Sequence, residues 1–146
     1  MLLWIGIGVG LIYPTTHTIR VINEHKNSGA GYTSKTWRKN ETIHYLLNNK
    51  PLDSECVLYS NDPDAMDFLA NVTAKLSPRN TKGAAITVDI ASLESKFPVE
   101  KKACLVWFNQ TAWRKYLFTP DELKRVATLD KVAQFDDGTI YVVTKK

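Results

Sequence analysis

Apolar residues run unbroken from Met1 to Tyr13, stop at Pro14, and thereafter appear only in short clusters separated by polar and charged positions. A membrane-crossing helix needs about 20 apolar residues to span the hydrocarbon layer, so this run predicts part of one. The segment 15–27 then reads as its extension into water, with Ile19, Val21 and Ile22 along one side. A secretory signal fits less well, because no Lys or Arg precedes Leu2 and Ile12–Thr16 offers no small-x-small cleavage site. A buried core element is opposed by Gly6, Gly8 and Gly10, which weaken helices and strands in water but let helices approach closely in lipid.

Downstream, Asn27-Ser28-Gly29-Ala30-Gly31 breaks the pattern. Thr33 or Ser34 is positioned to cap a helix through about Asn48, with Trp37, Ile43, Leu46 and Leu47 as a partial apolar face. Cys56 to Ser60 is a nearly continuous apolar run, as expected of a strand covered on both faces. Asp62-Pro63-Asp64 follows as N-cap, first helical residue and dipole partner, predicting a helix to about Lys75. Ser77 to Gly83 reads as a polar, basic loop, Ala84 to Val88 as a strand, and Ile90 to Phe97 as a short helix. Ala103 to Phe108 is the strongest strand signal. A helical stretch is expected over Ala112 to Leu117, and Thr119-Pro120 opens another helix. Asp137-Gly138 marks a hairpin between Lys131–Gln134 and Thr139–Val143. Strands alternating with helices and closing in a hairpin predict an α/β fold, a small mixed sheet with flanking helices, in residues 28–146. Residues 1–27 are expected to form a partial transmembrane helix and its extension.

Composition changes this picture little. The 146 residues carry a net charge of +4, spread over pairs such as Lys101-Lys102 and Lys124-Arg125, not one stripe, so nucleic acid is not an expected partner. Cys56 and Cys104 fall in two strand candidates and in no Cys/His cluster, which argues against a metal site. Buried free thiols are the favoured reading. If the two strands are neighbours and the compartment is oxidising, a disulfide is open to them.

Open α/β sheets bind ligands beyond the carboxyl ends of their strands, which here carry Ser60, Asn61, Asp62, Asp64 and Asn109. Helix capping already explains Asn61 and Asp62 and is the favoured reading over a binding role. Asp62-Pro63-Asp64 also spells a D-x-D pattern used by nucleotide-sugar enzymes, a weak signal in a tripeptide. Lys75, Arg79 and Lys82 form a candidate anion-binding loop for phosphate or lipid head groups. No nucleophile-and-base pair, Gly-rich phosphate loop or cofactor motif is present, so no catalytic residue, metal or cofactor is expected. Asn40, Asn71 and Asn109 head formal glycosylation sequons.

The succession Gly31 to Arg38, Leu58 to Ala65, Val106-Trp107-Phe108, Trp113 to Leu117 and Asp137 to Tyr141 resembles the C-terminal extramembrane domain of bacterial polytopic glycosyltransferases of the dolichyl-phosphate-mannose mannosyltransferase-like, or GT-C, type. That resemblance covers residues 1 to about 144. It implies a tail that follows a bundle of membrane helices, with the catalytic carboxylate and the lipid-linked-sugar site in the bundle, so none of those residues carries over. The expectation is a non-catalytic module, whether a truncated product, a split subunit or a free-standing relic. It would pack on a bilayer and a polytopic membrane partner, with Trp37, Trp107, Trp113 and Tyr116 as core or interface anchors. The family places this tail on the exoplasmic or periplasmic side. Arg20, Lys26, Lys35, Arg38 and Lys39 would instead place a solitary anchor's domain in the cytoplasm. The rival expectation is a small free-standing ligand-binding or enzymatic domain with its polar site at the strand ends.

Overall fold

The apolar run around Cys104 becomes the strand at the centre of a five-stranded mixed sheet. The computed structural model describes residues 14–24, 26, 28–49, 56–82, 86–87, 89–94, 97–111 and 113–146. The chain divides into two units, Met1–Lys39 and Asn40–Lys146. In the first, residues 14–24 are helical (α1), and the expected membrane-inserted run, residues 1–13, lies outside the described residues. Among the described residues no helix is long and apolar enough to cross a membrane. After α1 come a 3-10 turn, Gly31–Thr33, and a single helical turn, α2 (Lys35–Arg38). Tyr32 and Trp37 meet edge to face there, 5.4 Å between ring centroids.

The second unit opens with α3 (Glu41–Asn49). Its strands are β1 (Val57–Ser60), β2 (Lys75–Leu76), β5 (Lys102–Phe108), β6 (Ala127–Gln134) and β7 (Gly138–Lys145), in the order β2-β1-β5-β7-β6. β1 runs parallel to β2 and to β5, while β7 is antiparallel to both β5 and β6. A separate two-stranded ladder pairs β3 (Thr81–Lys82) with β4 (Ile86–Thr87).

Alternation along the strands sends Tyr59, Ala103, Leu105, Tyr141 and Val143 into one core. There they meet Leu93 of α5 (Ala91–Glu94), Phe97, Phe118 and Leu123 of α6 (Pro120–Leu123). The alternate positions Leu58, Cys104, Val106, Phe108 and Ile140 are buried as well. α4 (Pro63–Ala70), whose Ala65 and Met66 are fully enclosed, packs on β1 and against α3, and α3 on β7. A strand screened on both faces has no solvated side, so β5 is apolar at nearly every position instead of alternating.

Cys56 and Cys104 are joined by a disulfide, which corrects the favoured reading of two free thiols. Cys104 lies opposite Leu58 in the parallel ladder, two residues along from Cys56, and the Cα atoms stand 5.8 Å apart. This is within the span a disulfide needs.

Several expected boundaries move, each for a local reason. The helix expected from Pro63 to about Lys75 ends at Ala70, because Asn71 takes a left-handed conformation (φ 53°) and donates its N–H to Asp67, while Val72 closes on Met66. That frees Lys75-Leu76 to become the edge strand β2. The single helix expected through Asn48 is two, since Asn40 starts a new one by accepting the Ile43 N–H at 2.8 Å. Lys82 belongs to β3, not to an irregular loop. Of the strand expected over 84–88, Ile86–Thr87 is seen as β4 and the remainder lies outside the described residues. Residues 113–117 form successive turns in place of a helix, held by backbone bonds to the 78–80 segment. The first hairpin strand begins earlier than expected, at Ala127, and carries a register shift between Lys131 and Ala133.

Candidate functional site

The carboxyl ends of β1 and β5 lie side by side, as the parallel pairing of Ser60 with Val106 requires. Asn61, immediately after β1, is fully buried. Its carboxamide clamps the end of β5 from both sides: Oδ1 accepts the Phe108 N–H at 2.8 Å, and Nδ2 donates to the Phe108 carbonyl at 2.8 Å and to Thr111 Oγ1 at 2.6 Å. A planar group with a donor edge and an acceptor edge imitates a strand residue here, extending the ladder by one side chain.

Ser60 Oγ accepts the Asp62 N–H at 3.0 Å, and Asp62 caps α4 by accepting the Ala65 N–H at 3.3 Å. Arg114, from the loop after β5, donates to Asp62 at 3.2 Å and reaches Asp64 at 3.5 Å. The Asp62 and Arg114 side chains keep only 3% and 10% of their surfaces exposed, so the pair is a desolvated one whose charges must be held together. Asp64 remains in solvent. The guanidinium also lies 4.8 Å from the Trp113 ring centre.

Asn109 donates to the Asp136 carbonyl at 2.9 Å, and its own N–H bonds Asp137 O at 2.8 Å, tying the β5 end to the β6–β7 hairpin. Asp137 in turn accepts three bonds from the start of α3: the Glu41 N–H, the Thr42 N–H at 3.1 Å and the Thr42 hydroxyl at 2.6 Å. A carboxylate on unsatisfied helix N–H groups is charge-assisted capping. Gly138 is enforced by the same contact, since a β-carbon there would come 2.7 Å from both Thr42 Oγ1 and the Trp107 carbonyl. Replacing Asp137 by Ala is expected to cost about 2 kcal/mol, read as a lower urea midpoint with unchanged slope, and Asp137→Asn less.

Of the five residues expected at the strand ends, Ser60, Asn61 and Asp62 are therefore brought together and spent on backbone amides and on Arg114, while Asn109 serves the hairpin. Capping thus accounts for Asp62, whereas Asn61 serves as a clamp on the end of β5. Of the basic trio, Lys75 lies in β2, Lys82 in β3, and Arg79 between them in a bridge to Leu117. Lys75 pairs with Glu100 at 3.0 Å, and Arg79 lies over the Tyr116 ring at 5.5 Å. Of Lys82 only its place opposite Ile86 is described. The sequon at Asn40 is fully buried as a helix cap, whereas Asn71 and Asn109 are exposed. Among the described residues no three of His, Cys, Asp and Glu are grouped to hold a metal ion.

Sequence reasoning passed over Arg114, Asp137 and Glu100, whose partners lie far away along the chain. Glu100 accepts from Lys75 and, at 3.3 Å, from the Tyr59 hydroxyl. Burial, then the charge of Glu100 and this hydrogen bond, push the Tyr59 phenol up to about 12. Burial works to raise Glu100 too, but the hydrogen bond and charge of Lys75 and the Tyr59 hydroxyl outweigh it, and its carboxyl sits below the ordinary 4.5. The folded state thus holds the Tyr59 proton more tightly than the unfolded chain, so that stabilisation is intact below pH 10 and lost as pH rises from 10 towards 12. The Glu100 contribution is present above pH 4.5 and lost as pH falls below it. In an ultraviolet titration Tyr59 is expected to ionise near pH 12. Tyr59→Phe should remove that step.

Beside these clamps is a cavity of about 420 Å³ lined by Asn80, Trp107, Asn109, Thr111, Arg114 and Lys115, among others. No family model matches the chain, and neither a curated protein nor a solved structure is detectably similar to it.

Proposed function

We propose that the chain is a non-catalytic α/β domain held at a membrane by residues 1–13, related to the extramembrane tail of dolichyl-phosphate-mannose mannosyltransferase-like glycosyltransferases and serving to pack on or gate a membrane partner. The observation that carries this reading is the use of Asn61, Asp62 and Arg114 on one another and on backbone groups. An enzyme of this architecture would hold its polar groups at the strand ends available to substrate. Here they stabilise the turn that carries α4. The Cys56–Cys104 bond supports placing the domain on the exoplasmic or periplasmic side, where disulfides persist. The apolar run Met1–Tyr13 supports a bilayer as partner. Purified full-length chain is expected to float with neutral phosphatidylcholine vesicles, to lose flotation when residues 1–13 are removed, and to transfer no sugar from a polyprenyl-phosphate donor. Measurable transfer by the chain alone would sink this reading.

The cavity between Asn80 and Trp107 favours one second reading, a small ligand-binding domain. A small molecule that raises the unfolding temperature in wild type but not in Trp107→Leu would select it.

A further inference from the structure

Two loops of the second unit are laced into one platform. Asn80 N donates to the Tyr116 carbonyl at 2.9 Å, Asn80 Nδ2 to the carbonyls of Lys115 and Leu117 at 3.1 and 3.3 Å, and Phe118 N to the Pro78 carbonyl at 3.0 Å. Arg79 and Leu117 form an antiparallel bridge. The side chains this backbone carries outward are unusual for a loop. Trp113 leaves 66% of its surface in water, and Tyr116 is half-exposed with the Arg79 guanidinium stacked on it. Lys115 and Arg79 are both exposed, and neither has a carboxylate partner among the described residues. Arg114, by contrast, faces both Asp62 and the exposed Asp64, so that group carries one excess negative charge. Two exposed or half-exposed rings, and two cations with no carboxylate partner among the described residues, are therefore carried on this one laced segment. A large exposed indole is a poor choice for a merely solvated loop, and amphipathic rings flanked by Lys and Arg are the side chains that settle at head-group level.

We infer that the platform of Arg79, Trp113, Lys115 and Tyr116 docks the domain onto the surface of an anionic bilayer, the cations pairing with lipid phosphates and the rings entering the interface. The inference rests on the membrane association proposed above and adds to it a second contact, made by the folded domain itself. Charge complementarity selects the occupant: Arg79 and Lys115 outweigh the one excess carboxylate at Arg114, the whole chain is at +4, and an anionic leaflet attracts each nearby Lys or Arg strongly enough to change partitioning about five-fold. A contact of this kind is weak alone. A first anchor that holds the domain near the lipid makes it effective by raising its local concentration.

Fluorine NMR of the full chain labelled with 5-fluorotryptophan separates the two contacts, because Trp4 reports residues 1–13 and Trp113 reports the platform, with Trp113→Phe assigning its signal. In nanodiscs of phosphatidylcholine containing about one-third phosphatidylglycerol and a spin-labelled head group, the Trp113 signal is expected to broaden. In phosphatidylcholine alone it should stay sharp. The double variant Arg79→Gln, Lys115→Gln is expected to reduce the docked fraction about 25-fold, and Lys115→Gln alone about five-fold, both with the unfolding midpoint of the wild type. A sharp Trp113 signal beside a broadened Trp4 signal would overturn the platform while leaving the anchor standing. A sharp Trp4 signal would overturn the anchor and leave Trp113 to answer for the platform. Equal broadening in neutral and anionic discs, or lipid-independent broadening that grows with protein concentration, would also overturn it, the latter by pointing to a second copy as the occupant.

Discussion

Reducing the Cys56–Cys104 bond, or replacing both residues by Ser, is expected to lower the free energy of unfolding by about 4 kcal/mol. The two cysteines are 48 positions apart, and cross-linking a loop of that length removes chain entropy from the unfolded ensemble on this scale. The loop contains β1, α4, β2, the β3–β4 ladder and α5, so the bond fastens half of the second unit to its central strand. Chemical denaturation with and without reductant measures the difference. Two titratable thiols in the folded, unreduced chain would show that the bond does not form. If the effect is as large as expected, a domain folding in a reducing compartment would lose a substantial share of its margin, since whole domains are stable by only about 5 to 15 kcal/mol.

Asn61→Ala is expected to cost about 3 kcal/mol. The substitution removes three hydrogen bonds in a site closed to water and takes from the Phe108 N–H the acceptor it has there. Buried groups that lose a partner cost about 1 to 3 kcal/mol each, and the space left adds to this. Asn61→Asp keeps the acceptor edge but turns the donor edge into a buried negative charge facing the Phe108 carbonyl, and should cost at least as much. A residue held ready for ligand would behave otherwise, with a change within about 0.5 kcal/mol. Equilibrium urea unfolding distinguishes the two, and a near-neutral Asn61→Ala would return this corner to the list of binding sites.

How far the sequence discloses the structure depends on how local the causes are. β5 and β1 were legible because burial on both faces leaves a continuous apolar run, and the start of α4 because Asp62, Pro63 and Asp64 each act within one turn. The hairpin was legible from Asp137-Gly138 for the same reason. The end of α4 was not, because Asn71 adopts a left-handed backbone that few residues favour and propensity does not announce. Nor was β2, whose two residues are a strand only because β1 lies beside them. At the strand ends the residue types could be read but their use only in part: both Asn61 and Asp62 read as caps, and Asn61 is a strand clamp only because Phe108 and Thr111, about 50 positions away, are brought against it, as Arg114 is against Asp62. Asp137 was legible as a turn residue and hidden as a helix cap, its partners lying 95 positions or more away.

The strand order carries a consequence for biosynthesis. β7, the last of the five strands along the chain, lies between β5 and β6 and supplies the antiparallel neighbour of the central strand. Without residues 138–145, β5 shows an open hydrogen-bonding edge and one core lacks Tyr141 and Val143. Pairings this distant form late, and a nascent sheet with a bare apolar edge invites association with other chains. Released chains that end at residue 137 should therefore be captured by holdase chaperones, while chains that include residues 138–145 should not.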